Sequence, residues 1–274
     1  MQRFARRGAE LASRGGNVGV CNGIVGARSI TSVFPEVTGN QVHGFPLRND
    51  KDYRVFFERG GIRVSPWHDI NLFYNKEDRV VNYVNEIPRG STDKMEIATD
   101  EEFNPIKQDI KKGELRRYPF ESLTNYGALP QTWESPDIKD EETGYFGDND
   151  PLDFMDVGAQ IRATGEVYQV KVIGCMGMID QGEMDWKIIG IATDDPLAAS
   201  INTVADMEQV LPEHLNIIMN WLKYYKVPDG KEENSFSFNN NVMDANFAMK
   251  VLEETHLQWQ DTAAIKQQGF WKKE

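Results

Sequence analysis

An α+β fold, mainly β, with a mostly antiparallel sheet or barrel and helices packed outside, is what this sequence predicts. Segments that alternate polar and apolar residues crowd into residues 53–97 and return at 165–191. After about residue 202 the apolar spacing changes to a helical one. Strands first and helices later is the order of an α+β chain, and no internal repeat breaks it.

The elements follow in order. Residues 53–57 and 69–74 alternate imperfectly, and residues 79–84 read the same way up to the punctuation at Pro88. Residues 94–97 form a short alternating piece. Residues 165–173 make a good strand, a turn follows at 180–183, and residues 186–191 make the returning strand. Asn202 or Thr203 can cap a short helix over 204–211. Pro212 suits the first turn of the next helix, whose stripe is Leu215, Ile218, Met219 and Leu222, continued by Tyr225. Pro228-Asp-Gly230 stops that helix. A last helix begins near Asp244 and carries Phe247, Val251, Leu252, Thr255 and Trp259 on one side.

The chain has 274 residues, 40% of them hydrophobic and 27% charged, enough for a sizeable core in one catalytic domain. No run of about 18 apolar residues offers a membrane span. A net charge of −13 argues against nucleic acid as a partner and suits a protein that gathers divalent cations, although acidity also simply aids solubility. Cys21 and Cys175 lack partners at metal-ligand spacing, and Cys175, inside an apolar run, reads as a buried inert thiol.

Residues 1–33 stand apart, with Arg3, Arg6, Arg7, Arg14 and Arg28 against the single acid Glu10. At helical spacing Phe4, Ala5, Leu11 and Ala12 share a face opposite four of those arginines. Such an Arg-rich, acid-poor start reads as an organellar transit peptide, for the mitochondrial matrix first, with plastid or a cytoplasmic tail as alternatives. Residues 34–274 then form the catalytic domain.

The chemistry lies in the carboxylates. Gly147-Asp148-Asn149-Asp150-Pro151-Leu152-Asp153 packs three acids around a proline. Charges that close repel unless a cation compensates them, and dense oxygen ligands suit Mg²⁺ or Mn²⁺. An EF-hand is excluded, because counting from Asp148 puts Asp153 at position six and Ala159 at position twelve. An aspartyl-phosphate nucleophile belongs at the end of an apolar strand, which residues 144–147 are not. Taken alone, such a turn is also what a solvated loop looks like. A second group, Asp180, Glu183, Asp185 and Lys187, spans a hairpin turn, and Lys94 and Glu96 share one side of a strand. The four histidines, at positions 43, 68, 214 and 256, have no ligand spacing, and neither a phosphate-binding Gly-Lys loop nor a Gly-x-Ser-x-Gly elbow occurs.

Together these pieces resemble the family I soluble inorganic pyrophosphatases of eukaryotic type. The signature Asp-x-Asp-Pro-x-Asp is matched by Asp148, Asp150, Pro151 and Asp153. Around it, in the family's order, stand Glu86-Ile-Pro-Arg89, Lys94-Met-Glu-Ile97, residues 104–109, Asn125-Tyr-Gly-Ala-Leu-Pro-Gln-Thr-Trp133, residues 180–187 and Tyr224-Tyr-Lys-Val-Pro-Asp-Gly-Lys231. The resemblance implies a twisted five-stranded barrel of OB-like form with peripheral helices and extra strands. It implies Mg²⁺ as cofactor, several ions of it, with Mn²⁺ or Zn²⁺ as substitutes. Asp148, Asp153 and Asp185 are then ligands of the first metal, with Asp153 also holding the second. Asp180 with Asp185 holds a third ion, and Glu96 helps hold a fourth. Lys94, Arg116, Tyr126, Lys187, Tyr225 and Lys226 contact phosphate, and Asp150 orients the attacking water and takes its proton.

The physics is consistent with that implication, since bound cations reverse the field of an acidic pocket toward a highly anionic substrate. Two departures stand out. Ser122 occupies the place where fungal and animal relatives carry another active-site tyrosine, and the stretch from Arg116 to Tyr126 is shortened, with Tyr118 the candidate substitute. Gly90 follows Ile-Pro-Arg where relatives can carry a bulky residue of the dimer contact, so homodimer and monomer both stay open. A broader metal-dependent phosphatase and a non-enzymatic cation or phosphate binder are the rival functions.

Overall fold

A computed structural model describes residues 51–273 and the backbone of Glu36–Gly39. The expected transit peptide and Cys21 lie outside the described residues. In chain order the strands of the first half are β1 (Glu36–Gly39), β2 (Val55–Arg59), β3 (Ile62–Val64), β4 (Phe73–Asn75), β5 (Val80–Ile87), β6 (Met95–Ile97) and β7 (Ile106–Gln108). A small hairpin, β8 (Ile110–Lys111) and β9 (Glu114–Leu115), precedes β10 (Asn125–Ala128), β11 (Asp153–Asp156), β12 (Val167–Asp180) and β13 (Glu183–Ala192). Helices α1 (Val204–Val210) and α2 (His214–Tyr224) follow, then β14 (Ser235–Phe236), β15 (Met243–Asp244), α3 (Ala245–Gln260) and α4 (Thr262–Gln267).

Five of these strands close on themselves. The ring runs β12, β13, β11, β10, β5 and back to β12, with every pairing antiparallel except β11 against β13. This is the strand-rich, OB-like barrel with a few helices that the resemblance implied. Beside it, β1, β2, β7 and β6 form a second sheet, with β3 on β2.

The barrel wall is apolar on both faces, which is why its strands read as nearly continuous hydrophobic runs. Successive side chains point to opposite sides. Met155, Ile173 and Ile189 join one core cluster, with Leu215, Ile218 and Leu222 of α2 and Met207 of α1. Their neighbours Phe154, Val172 and Ile188 join the other, with Ala248, Val251 and Leu252 of α3. Cys175 sits in that second cluster, and burial pushes its thiol up. Thr203 caps α1 by accepting from the Asp206 N–H, and Asp244 caps α3 by accepting from the Phe247 N–H.

Several boundaries differ from expectation, each for a local reason. The strand expected at 69–74 begins only at Phe73. Ahead of it the Ser65 hydroxyl accepts from the N–H groups of Trp67 and His68, and the Asp69 carboxylate accepts from the Ser65 N–H. Side chains that satisfy the backbone locally hold a turn there. Pro212 precedes α2 rather than opening it, because Glu213 takes a left-handed conformation at φ 63°. The strand expected at 165–173 runs on to Asp180, with a bulge near Val172.

Candidate active site

Strand register brings the predicted residues together. In the parallel pairing of β11 with β13, Asp153 lies opposite Lys187. Asp185 sits two residues earlier on β13, so its side chain leaves from the same face as Lys187. The β12–β13 hairpin turns through Gln181 and Gly182, both at positive φ, and Asp180 stands at its root. Tyr126 of β10 projects to the same side and donates its hydroxyl to Asp153.

Asp148 and Asp150 come from the turn ahead of β11, which is stapled to residues 134 and 135. The Gly147 N–H donates to the Ser135 carbonyl at 3.1 Å, the Asn149 N–H to the Glu134 carbonyl at 2.9 Å, and the Glu134 N–H to the Asp150 carbonyl at 3.0 Å. Asn149 takes φ 74°, and its amide oxygen accepts from the Trp133 indole at 3.0 Å. Only glycine fits at 147, since a Cβ there would meet the Glu134 carbonyl at 2.4 Å.

The remaining residues arrive from other elements. Lys94 and Glu96 flank Met95 at β6, Arg116 follows β9, and Tyr225 and Lys226 follow α2. Every predicted site residue, namely Lys94, Glu96, Arg116, Tyr126, Asp148, Asp150, Asp153, Asp180, Asp185, Lys187, Tyr225 and Lys226, lines one cleft of about 280 Å³.

Charges interleave in that cleft. The Lys187 ammonium touches both Asp153 and Asp185, Lys94 touches Glu96, and Lys226 touches Asp180. Asp109 accepts from Arg116 at 2.9 Å and lies 3.7 Å from Lys94. Burial alone would lower the Lys187 pKa, but Asp153 and Asp185 hold it well above the usual lysine value. Burial and the Arg116 and Lys94 cations pull Lys226 down to about 8, so it keeps its proton at neutral pH, as its contact with Asp180 requires.

The acids feel the crowding in the other direction. Desolvation by the cleft walls, reinforced by Glu96 and Asp153 and opposed by Lys94, raises Asp150 to about 6, although Asp150 itself opens to solvent. Burial and neighbouring Asp153, opposed by Lys187, raise Asp185 to about 7, and burial with Asp185 and Asp150 pushes Asp148 well above the usual range. These carboxylates remain short of positive charge despite the lysines.

The donor set can hold a divalent cation. Glu134, Asp148 and Asp185 offer ligand oxygens that all lie within 4.8 Å of one another. An all-carboxylate set is the chemistry of a hard cation, not of a thiolate or imidazole zinc centre. Asp153, which the resemblance groups with Asp148 and Asp185, is engaged by Lys187 and Tyr126.

The inorganic pyrophosphatase family model matches residues 83–260. The chain belongs to the inorganic pyrophosphatase family. It is 45% identical over 229 residues to the soluble inorganic pyrophosphatase 1, chloroplastic, of Chlamydomonas reinhardtii, covering 84% of this chain and 81% of that one. It is 50% identical over 219 residues to the inorganic pyrophosphatase of Dictyostelium discoideum, covering 78% and 77%. An N-terminally truncated vacuolar soluble pyrophosphatase of Trypanosoma cruzi, solved in complex with PPi, superimposes with a TM-score of 0.77 at 40% identity, covering 84% of this chain and 92% of that one.

Two further residues adjoin this pyrophosphatase site: Tyr118, named from sequence only as a candidate substitute, lines the cleft, and Glu134 lies beside Asp148 and Asp185 without lining it. Tyr118, not Ser122, faces the cleft, with its ring edge-on to Trp221 and Tyr225 at 5.1 and 5.5 Å. Ser122 is buried, and its hydroxyl donates to the Thr124 carbonyl. Burial pushes the Tyr118 phenol up to about 12, so it stays a donor at neutral pH. Glu134 was missed altogether. It stands alone between Trp133 and Ser135, outside any acidic spacing, and only its place just after the Asn-Tyr-Gly segment hinted at the site.

Proposed function

We propose that this inorganic diphosphatase splits pyrophosphate into two orthophosphates by direct, in-line attack of water, without a covalent intermediate. The observation that carries the reading is the single cleft in which carboxylates and cationic side chains touch one another. Asp148, Asp153 and Asp185 would hold the first Mg²⁺, with Asp153 shared by a second, Asp180 and Asp185 holding a third and Glu96 helping with a fourth. When bound, such ions offset the substrate's charge and bring the pKa of a coordinated water from about 15.7 toward about 7.

The chain's own residues do the rest. Asp150 orients the water and accepts its proton on a carboxylate oxygen, and its raised pKa of about 6 suits a base working near neutrality. Lys94, Arg116, Lys187, Tyr225 and Lys226 bind phosphate oxygens. Each of the three lysines already has a carboxylate partner, and so does Arg116. Cations arriving with substrate would engage the carboxylates and so free the ammonium groups for phosphate. Each charge would then keep a counter-charge, which would hold the cost of burial low. Burial and Asp153 hold the Tyr126 phenol well above its usual value, so Tyr126 stays a donor throughout.

The test is phosphate release from pyrophosphate, ATP and a phosphomonoester, with Mg²⁺ and then with Zn²⁺. Strong preference for pyrophosphate in Mg²⁺ is expected, and preference for ATP in Mg²⁺ would reject the reading. The first 33 residues are read as an organellar address, the mitochondrial matrix ahead of plastid or cytoplasm, with residues 34–274 as the catalytic domain. Chloroplastic relatives support an organellar option. Import of residues 1–33 fused to a fluorescent protein tests it, and a diffuse cytoplasmic signal rejects it. A homodimer is one assembly and a monomer its alternative, and sedimentation decides between them.

A further inference from the structure

Glu134 is buried, with 3% of its surface exposed, and both ends of it are held. Its backbone is stapled to the turn that carries Asp148 and Asp150, through the hydrogen bonds from Asn149 and to Asp150. Its Oε1 accepts from the Trp186 N–H at 2.9 Å, and Trp186 is the neighbour of Asp185 on β13. Its Oε2 has no hydrogen-bond partner among the described residues. Glu134 also contributes a ligand atom to the trio with Asp148 and Asp185. A carboxylate oxygen buried beside two more carboxylates, with nothing donating to it, is costly unless a proton or a cation neutralises it, and a cation answers all three carboxylates at once.

We infer that Glu134 belongs to the cage of the divalent cation held by Asp148 and Asp185, with Oε2 facing that ion or a water on it. The inference rests on the cation reading above and extends it to a residue outside the acidic signature. Glu134 is a positioning residue: one oxygen ties it to the barrel wall, and the other helps fix the ion at the place where Asp148 and Asp185 converge. Carboxylates that support a metal in this way typically change its affinity about 10–100-fold when removed.

The test is Mn²⁺ titration of the full chain without substrate, following the free-ion paramagnetic resonance signal, on wild type, Glu134→Gln and Asp148→Asn. Glutamine keeps the size of the side chain and an amide oxygen for the Trp186 N–H, so circular dichroism should show it folded. Mn²⁺ affinity at the tightest site of Glu134→Gln is expected to fall by about tenfold or more. Affinity within about twofold of wild type overturns the inference. Should Glu134→Gln not fold, Glu134→Asp keeps the charge but retracts it by one methylene. Weaker Mn²⁺ binding in that variant supports the cage role, and wild-type affinity overturns it. If wild type itself takes up no Mn²⁺, the cation reading of the whole site fails. If wild type binds, Asp148→Asn loses binding and Glu134→Gln keeps it, only the role of Glu134 fails.

Discussion

Replacing Lys187 with methionine isolates the electrostatics of the cleft. Lys187 is 2% exposed, and its ammonium is shared by Asp153 and Asp185. Methionine keeps the apolar stem and removes the charge, leaving two carboxylates facing each other in a wall of low dielectric. Breaking a buried ion pair by deleting one partner costs about 3–5 kcal/mol. For a domain of this size each kcal/mol moves the melting temperature by about 2–4 °C, so Lys187→Met should melt about 6–20 °C below wild type in EDTA. Excess Mg²⁺ should recover at least half of that deficit, because an ion can take over the role of counter-charge. Acid should recover part of it too. Asp185 already sits at about 7 with Lys187 present, and loss of the lysine raises it further, so below neutrality it takes up a proton instead of holding a buried charge. The assay is thermal denaturation followed by circular dichroism, in EDTA and in Mg²⁺, at pH 8 and pH 5.5. A deficit of less than about 1 kcal/mol in EDTA, or an equal deficit in EDTA and Mg²⁺, would refute the reasoning.

Asp150→Asn should keep the fold and most of the Mn²⁺ affinity while turnover falls by about 10²–10⁴-fold, and unchanged turnover removes Asp150 from the base role. Asp153→Asn should weaken two cation sites at once, so its Mn²⁺ titration should differ from wild type in stoichiometry as well as affinity; an identical titration contradicts the bridging assignment. Stabilisation by Mg²⁺ should grow as pH rises from 5.5 to 8. Asp150 at about 6 and Asp185 at about 7 hold protons below those values that a cation must displace, and above them the metal-free fold carries their uncompensated charge. Comparing melting temperatures with and without Mg²⁺ at each pH cancels His68, whose burial holds it down at about 3 and which by itself makes the fold more stable as pH rises, with or without Mg²⁺. A Mg²⁺ effect that is flat or falls over this range contradicts the assignment.

The cleft was legible where chemistry is written in short spacings. The acids at 148–153, the hairpin at 180–187 and the pair at 94–96 all converge, because β11 and β13 register Asp153 against Lys187 and the hairpin returns Asp185 to the same face. Two barrel strands were hidden. Asn125–Ala128 is buried throughout, and in Asp153–Asp156 only the first residue escapes full burial, so neither shows the alternation of a half-exposed strand. Turns governed by side chains were also hidden, since the capture of Ser65 and Asp69 by the local backbone leaves no periodic mark. Glu134 was invisible for a different reason. It reaches the cation trio through two backbone hydrogen bonds to a turn about fifteen residues further along the chain, and such a pairing exists only once the chain has folded.

The most direct measurement is calorimetric titration of the full chain with imidodiphosphate, a slowly hydrolysed analogue of pyrophosphate, in EDTA and then in Mg²⁺. So many crowded acids should repel this anion in EDTA and admit it only when divalent cations accompany it, with tight binding in Mg²⁺ that Lys187→Met weakens. Equal affinity in EDTA and in Mg²⁺ would mean that the lysines and Arg116 alone recognise the anion, and that the crowded carboxylates serve some purpose other than gathering cations for it.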